Sequence, residues 1–137
     1  MSSCIFCKIV AGEIPCLKVY EDERLLAFLD IQPVNLGHTL IIPKEHFENF
    51  LVTPDEVVAA IAKAVKPVAQ AAMAVTGAPG FNIGVNTGTV AGQIVMHTHL
   101  HVMPRLDGDG LTHWPKKAVD DEEMKETAAA MRAQLNH

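Results

Sequence analysis

The sequence predicts one domain of mixed strands and helices, and three observations carry that reading. Short runs rich in aliphatic and β-branched residues alternate with turn residues through the first third of the chain. A long helical periodicity follows Thr53. Near residue 100, His97, His99 and His101 occupy every second position of a strand-like run. At 137 residues the chain suffices for one domain with a real core, expected over residues 1–137, and is short for two.

Taken in order, residues 4–8 form a short apolar, thiol-bearing segment that ends at a Gly12 to Pro15 turn. Residues 17–21 and 25–29 read as two strands joined by a polar turn, which is a hairpin. A loop with Pro33, Asn35 and Gly37 leads to a third strand over 38–43. A short helical turn is expected over 44–51, carrying His46. Thr53 as cap, Pro54 at the first helical position and Glu56 three residues after the cap mark a helix start. Val57, Val58, Ile61, Val65, Val68 and Ala72 recur at helical spacing, Gly77 is the expected stop, and Pro67 should bend or split the helix. Residues 81–86 and 93–104 should be antiparallel strands around a glycine-containing turn. Asp120 caps a last helix whose Met124, Ala128, Met131 and Leu135 share a face, expected to cover or extend the core.

Composition narrows the class of function. Hydrophobic residues are 49% and charged residues 20% of the chain, which suits a packed aliphatic core and not disorder. The net charge of −5 argues against a nucleic-acid partner, while leaving room for a small anion where His, Lys and backbone N–H groups converge. There is no signal-peptide pattern and no continuous apolar stretch of about 18 residues, so a cytoplasmic protein without a membrane partner is expected. Cys4, Cys7 and Cys16 are an odd set that disfavours a disulfide framework and leaves Cys4-x-x-Cys7 open to metal or redox use.

On a strand, His97, His99 and His101 would line one side, with Met96, Thr98, Leu100 and Val102 on the other. Residues two apart lie roughly 6.6 Å apart at Cα, close enough for neighbouring imidazoles to share one small ligand. Two chemistries compete: a zinc site with an open position, and nucleophilic catalysis in which one neutral imidazole attacks and another serves the leaving group. Merely structural histidines are the third reading, but three of them in alternation on an otherwise apolar strand carry a desolvation cost too high to be incidental.

The run His97-Thr98-His99-Leu100-His101-Val102-Met103 resembles the signature of the histidine-triad (HIT) family of nucleotide hydrolases and transferases. Cys4-Ile5-Phe6-Cys7-Lys8-Ile9 with Gly12-Glu13-Ile14-Pro15, Phe28-Leu29-Asp30-Ile31-Gln32-Pro33, Gly37-His38-Thr39-Leu40-Ile41-Ile42-Pro43-Lys44, and Asn86 with Gly92-Gln93 also resemble the family, in its order. The resemblance covers residues 4–105 and is nearest to the nucleotide-binding branch; residues 106–137 form a C-terminal loop and helix outside it.

The resemblance implies an α+β fold, an antiparallel sheet of about five strands with a long helix and a C-terminal helix, continued across a homodimer. It implies hydrolysis of purine nucleoside phosphoramidates or related conjugates, or of dinucleoside polyphosphates, or nucleotidyl transfer; a nucleotide-binding regulatory role is the further alternative. His99 would attack the α-phosphorus, His101 would serve the leaving group, and Gln93, Asn86 and Gly92 would meet phosphate oxygens. His38 would orient a triad histidine. Asp30 would accept from the ribose hydroxyls, with Ile5, Phe6, Ile9, Phe28, Ile31 and Ile94 around a purine such as that of AMP or GMP. No organic cofactor is expected. Cys4, Cys7, His46 and His97 make a complete tetrahedral donor set, so a zinc held there would be structural; a redox pair or two small buried residues are the alternatives. After the triad stands Met103-Pro104-Arg105, where phosphoramidase relatives often carry a glycine pair, which bears on leaving-group preference.

Overall fold

Five strands, β1 (Lys18–Glu21), β2 (Leu25–Leu29), β3 (Thr39–Pro43), β4 (Gly80–Gly84) and β5 (Leu100–Arg105), form one antiparallel sheet in the order β1-β2-β3-β5-β4. They belong to a computed structural model that describes residues 3–136; residues 1, 2 and 137 of the expected domain lie outside it. The helices are α1 (Ile5–Val10), α2 (Asp55–Thr76) and α3 (Asp121–Leu135), with single 3₁₀ turns at Phe50–Val52 and Thr89–Ala91.

The middle of the sheet is built from residues buried on both faces. All five positions of β3 are buried, so its continuous run of Leu40, Ile41 and Ile42 needs no polar alternation. One face packs on α2: Leu25, Ala27, Ile41, Leu100 and Val102 meet Val57, Ile61, Val65, Val68 and Ala69. The other face gathers Leu26, Phe28, Leu40 and Ile42 under Phe6 of α1. Because successive side chains alternate faces, Leu100 and Val102 point to α2 while His99 and His101 point to the α1 side.

The hairpin is formed as expected, with a bulge between Lys18 and Tyr20. Other expectations are corrected. The histidine strand begins at Leu100 and not at Gln93. Extending the register of Thr39 with Val102 and Ile41 with Leu100 would bring Pro43 opposite Thr98, and proline has no N–H to continue the ladder. Thr98 instead donates its N–H to Phe47 O at 2.8 Å. Thr53 does not cap α2. Its hydroxyl donates to Asn49 O at 2.8 Å and meets Thr98 Oγ1 at 2.7 Å, and Pro54 holds the cap position without a side-chain bond.

Pro67 does not split α2, which runs unbroken for 22 residues to Gly77, left-handed at φ 75°. By length and composition α2 could cross a membrane, yet its apolar face is spent on the sheet. The thiol-bearing N-terminal segment is helical, with the Cys7 N–H donating to Cys4 Sγ at 3.4 Å as its cap. His46 follows a bend at Lys44 and Glu45, and the expected helical turn forms later, at Phe50–Val52. α3 has its Asp120 cap, donating partner Glu123 N–H, but buries no residue and so does not cover the core of its own chain.

Candidate functional site

The three histidines stay in a row although only His101 lies within β5. Phe6 makes edge contacts to the rings of His97 and His99, at centroid distances of 5.8 and 5.1 Å, and the His99 and His101 rings are 5.0 Å apart. What each ring can do follows from which nitrogen carries its proton, and backbone groups decide that. His99 Nδ1 lies 2.7 Å from the carbonyl of His97. A carbonyl only accepts, so Nδ1 carries the proton and the Nε2 lone pair is free to attack. His97 Nε2 lies 2.8 Å from Pro43 O, so the opposite nitrogen, Nδ1, keeps its lone pair.

His101 is set at one remove. The Val34 N–H donates to His38 Nδ1 at 3.1 Å, so in the neutral ring His38 carries its proton on Nε2. That Nε2 lies 2.9 Å from His101 Nδ1 and donates to it, leaving His101 with an Nε2–H of its own. Burial first, and then the neighbouring His99 and His38, push the His101 pKa down to about 4, against an opposing pull from Asp30. Burial likewise lowers His38, His97 and His99. The row is therefore neutral near pH 7, and the 3.6 Å approach of Asp30 Oδ2 to His38 Nε2 is not an ion pair there.

The residues expected around a nucleotide divide into four groups. Phe6 and Phe28 are buried, edge to face at 5.6 Å, and form a wall beside His99, with Ile9 half-buried near them. Asp30 is half-buried at the end of β2, its Oδ1 accepting from Gln32 N–H at 2.9 Å. Ile5, Ile31 and Ile94 are exposed, the last two at 85% and 89%, and make no closed slot in a single chain. Asn86 Nδ2 donates to Gly92 O at 3.4 Å. Gly92, at φ 99°, leaves room for Asn86, which a Cβ there would meet at 3.3 Å.

Gln93 is a correction. It is buried, and its amide is spent on the backbone: Nε2 donates to Glu48 O and Val95 O at 2.8 and 3.1 Å, and Oε1 accepts from Gly88 N–H at 2.9 Å. In this arrangement it holds the loop before the triad and has no free group for a phosphate.

The four expected metal ligands converge. Cys4 Sγ, Cys7 Sγ, His46 Nδ1 and His97 Nδ1 lie within 4.8 Å of one another. The sulfur to nitrogen separations are 3.4 Å for Cys4 to His97, 3.4 Å for Cys7 to His46 and 3.6 Å for Cys7 to His97, and the two nitrogens are 3.2 Å apart. A zinc tetrahedron with bonds of about 2.3 Å to sulfur and about 2.05 Å to nitrogen has edges of about 3.6 Å and 3.3 Å. The donor set fits zinc, and the Pro43 carbonyl leaves His97 Nδ1 as the nitrogen that can ligate. Four protein ligands would close the site to substrate. Asp30, His38 and His101 also converge, but His38 and His101 already share a proton at 2.9 Å.

Sequence reading missed the groups that set the tautomers: the Val34 amide and the carbonyls of Pro43 and His97. Backbone groups carry no residue-type signal, so only the fold reveals them.

The HIT domain profile matches residues 11–108. Adenosine 5'-monophosphoramidase hnt1 of Schizosaccharomyces pombe is 44% identical over 125 residues, 90% of this chain and 91% of that protein. Adenylylsulfatase HINT3 of Arabidopsis thaliana is 44% identical over 124 residues, 90% of this chain, which spans only 62% of that relative's length. A crystal structure of a Zn-bound histidine triad family protein from Mycobacterium smegmatis superposes with a TM-score of 0.78 at 44% identity, covering 98% of this chain and 96% of its own. Fold, histidine row and sequence agree, and the chain belongs to the HIT domain family.

Proposed function

We propose that this protein hydrolyses purine nucleoside 5′-phosphoramidates or related nucleotide conjugates at the α-phosphate, through a nucleotidyl intermediate on His99. The observation that carries the proposal is the tautomer pair: a bare Nε2 on His99 next to an N–H on His101. His99 attacks phosphorus as the bond to the leaving nitrogen breaks, while His101 Nε2–H donates a hydrogen bond to that nitrogen and solvent supplies the proton with which it departs as the amine. Water then attacks the phosphorus, releases His99 and gives up a proton to solvent, so that nucleoside monophosphate and free amine are the products. Dividing the displacement into two steps is the advantage of covalent catalysis on a crowded phosphorus anion.

Phe6 and Phe28 would face the base, Asp30 the ribose, and Asn86 with the Gly92 backbone the phosphate. Zinc on Cys4, Cys7, His46 and His97 would supply structure, with no role at phosphorus. The protein would act as a homodimer whose sheets join. Edge strand β4, with Phe81 and Ile83 part-exposed, offers unpaired backbone for that junction. The names of the fission yeast and Arabidopsis relatives support amides and mixed anhydrides of AMP as the substrate class, adenylyl sulfate among the latter.

The test is AMP release from adenosine 5′-phosphoramidate by wild type and His99→Ala, each with and without chelator. Wild type should turn over, His99→Ala should lose at least about a thousandfold, and chelation should spare the initial rate. Abolition by chelator before unfolding would replace the proposal with a metal hydrolase. Turnover only of adenylyl sulfate or a dinucleoside polyphosphate would move the leaving group from nitrogen to oxygen.

A further inference from the structure

We propose that Asn35, Asp109 and Arg105 form a clamp whose work is to set the proton position on His101, acting through the Val34 amide and His38. None of the three touches a histidine ring. They are positioning residues, and the inference rests on the reading of His101 as an N–H donor at the leaving group.

Asp109 is no solvated loop charge. Its side chain is 6% exposed, and its carboxylate accepts five hydrogen bonds. Oδ2 receives Arg105 Nε at 2.8 Å, Asn35 Nδ2 at 3.0 Å and Leu106 N–H at 3.1 Å. Oδ1 receives Arg105 Nη2 at 3.1 Å and Leu111 N–H at 3.0 Å. Arg105 is held in turn by Asn82 Oδ1 at 2.7 Å and Leu111 O at 3.2 Å. A bidentate arginine on a carboxylate that also takes backbone amides is a rigid assembly, tied here to β4 and β5.

Asn35 joins that assembly to the loop before β3. Its Nδ2 donates both to Asp109 and to Pro104 O, the latter at 2.9 Å. Its own carbonyl accepts the His38 N–H at 3.1 Å, and the neighbouring Val34 supplies the amide that meets His38 Nδ1. Gly37 closes the same turn at φ 94°, where a Cβ would come within 3.0 Å of Thr76 Cγ2 and 3.2 Å of Pro104 Cγ. The loop is thus pressed onto the end of β5 with the Val34 N–H aimed at one ring nitrogen.

The chemistry turns on that aim. With the Val34 amide in place, His38 cannot carry a proton on Nδ1, so it donates from Nε2 and His101 keeps its Nε2–H. If the loop lifts, His38 is free to hold its proton on Nδ1. Its Nε2 then accepts from His101 Nδ1–H, and the outer nitrogen of His101 becomes a bare lone pair. The shared proton passes from His38 Nε2 to His101 Nδ1 while His101 gives its Nε2 proton to water and His38 Nδ1 takes one from water, which converts a donor facing the leaving group into an acceptor with both rings still neutral.

The experiment compares wild type with Asn35→Ala by nitrogen NMR of the imidazole rings at neutral pH, together with steady-state kinetics on adenosine 5′-phosphoramidate. Asp107→Ala, in the turn that leads to Asp109 but exposed, is the control. The expected result is a single Nε2–H form of His38 and His101 in wild type and control. Asn35→Ala should show both tautomers, with kcat down about tenfold to a hundredfold and KM within about twofold. Unchanged tautomers in Asn35→Ala would overturn the proposal, as would a loss confined to KM. Should Asn35→Ala fail to fold, Asp109→Asn breaks the same link at nearly constant volume, and the same readings apply. If wild type turns over no phosphoramidate, the proposed reaction fails by itself, while the ring nitrogens still decide the clamp.

Discussion

His101 is the residue whose burial costs the fold most visibly, and that cost depends on pH. Its pKa stands at about 4 in the folded chain, against about 6.5 for an exposed imidazole. Between those values the unfolded chain binds a proton that the folded chain refuses, so stability is complete above about pH 6.5 and falls as pH drops toward 4. His99 and His38, each just before a strand (β5 and β3), push in that direction, and Asp30 pulls against them. The carboxylates of Glu21, Asp22 and Asp109 are held low by hydrogen-bonded partners and lose their contribution in a more acid window, below about pH 4. Urea midpoints of wild type should therefore decline from pH 7 to 4.5, and those of His101→Asn should decline less. Parallel slopes would show that His101 does not carry the effect. The identity of this residue was legible from the alternation of His97, His99 and His101 alone. Its tautomer was not, because it is written by the Val34 amide, a group that every residue but proline possesses.

Among the elements, α2 was the most legible and shows where local rules give way. Val57, Ile61, Val65 and Val68 return at helical spacing and do form the buried face, and Gly77 stops the helix in the left-handed conformation that glycine alone adopts freely. The sequence rule has Pro67 bend or split it. The helix runs through because its buried face on either side of Pro67 is anchored to the sheet, at Ile61 and Val65 before it and Val68 and Ala69 after it. The lost backbone bond is still a cost, and Pro67 is exposed. Pro67→Ala should therefore raise stability by about 1–3 kcal/mol, read as a higher denaturation midpoint with the histidine site unaltered. A lower midpoint would mean that the proline ring packs where the helix needs it. The start of β5 was misread for the opposite reason. Nothing in residues 93–99 forbids a strand; the limit comes from Pro43, more than fifty residues earlier, which reaches the end of the ladder only in the folded sheet.

In the assembled molecule the Cys4, Cys7, His46 and His97 cluster is the point where distant segments meet. It ties α1 to the loop after β3 and to the approach of the triad, joining residues 93 apart in the chain. The same His97 that would hold the metal hands its carbonyl to His99 Nδ1 and its Nε2–H to Pro43. Structure and chemistry therefore share one residue without sharing one function. A ligand at a thousand times its dissociation constant stabilises a fold by about 4 kcal/mol. For a chain of this size that corresponds to a Tm shift of about 10 °C or more. Cys4→Ser should accordingly purify with much less than one zinc per chain and melt at least about 10 °C lower than wild type. At 25 °C its initial rate per folded molecule should stay within about threefold of wild type, since the His99 nitrogen and its carbonyl partner are untouched. A protein that loses zinc and keeps its Tm would strip the metal of its structural role. One that keeps its Tm and loses its rate would place the metal at phosphorus after all, against a cluster whose four ligands leave no open position.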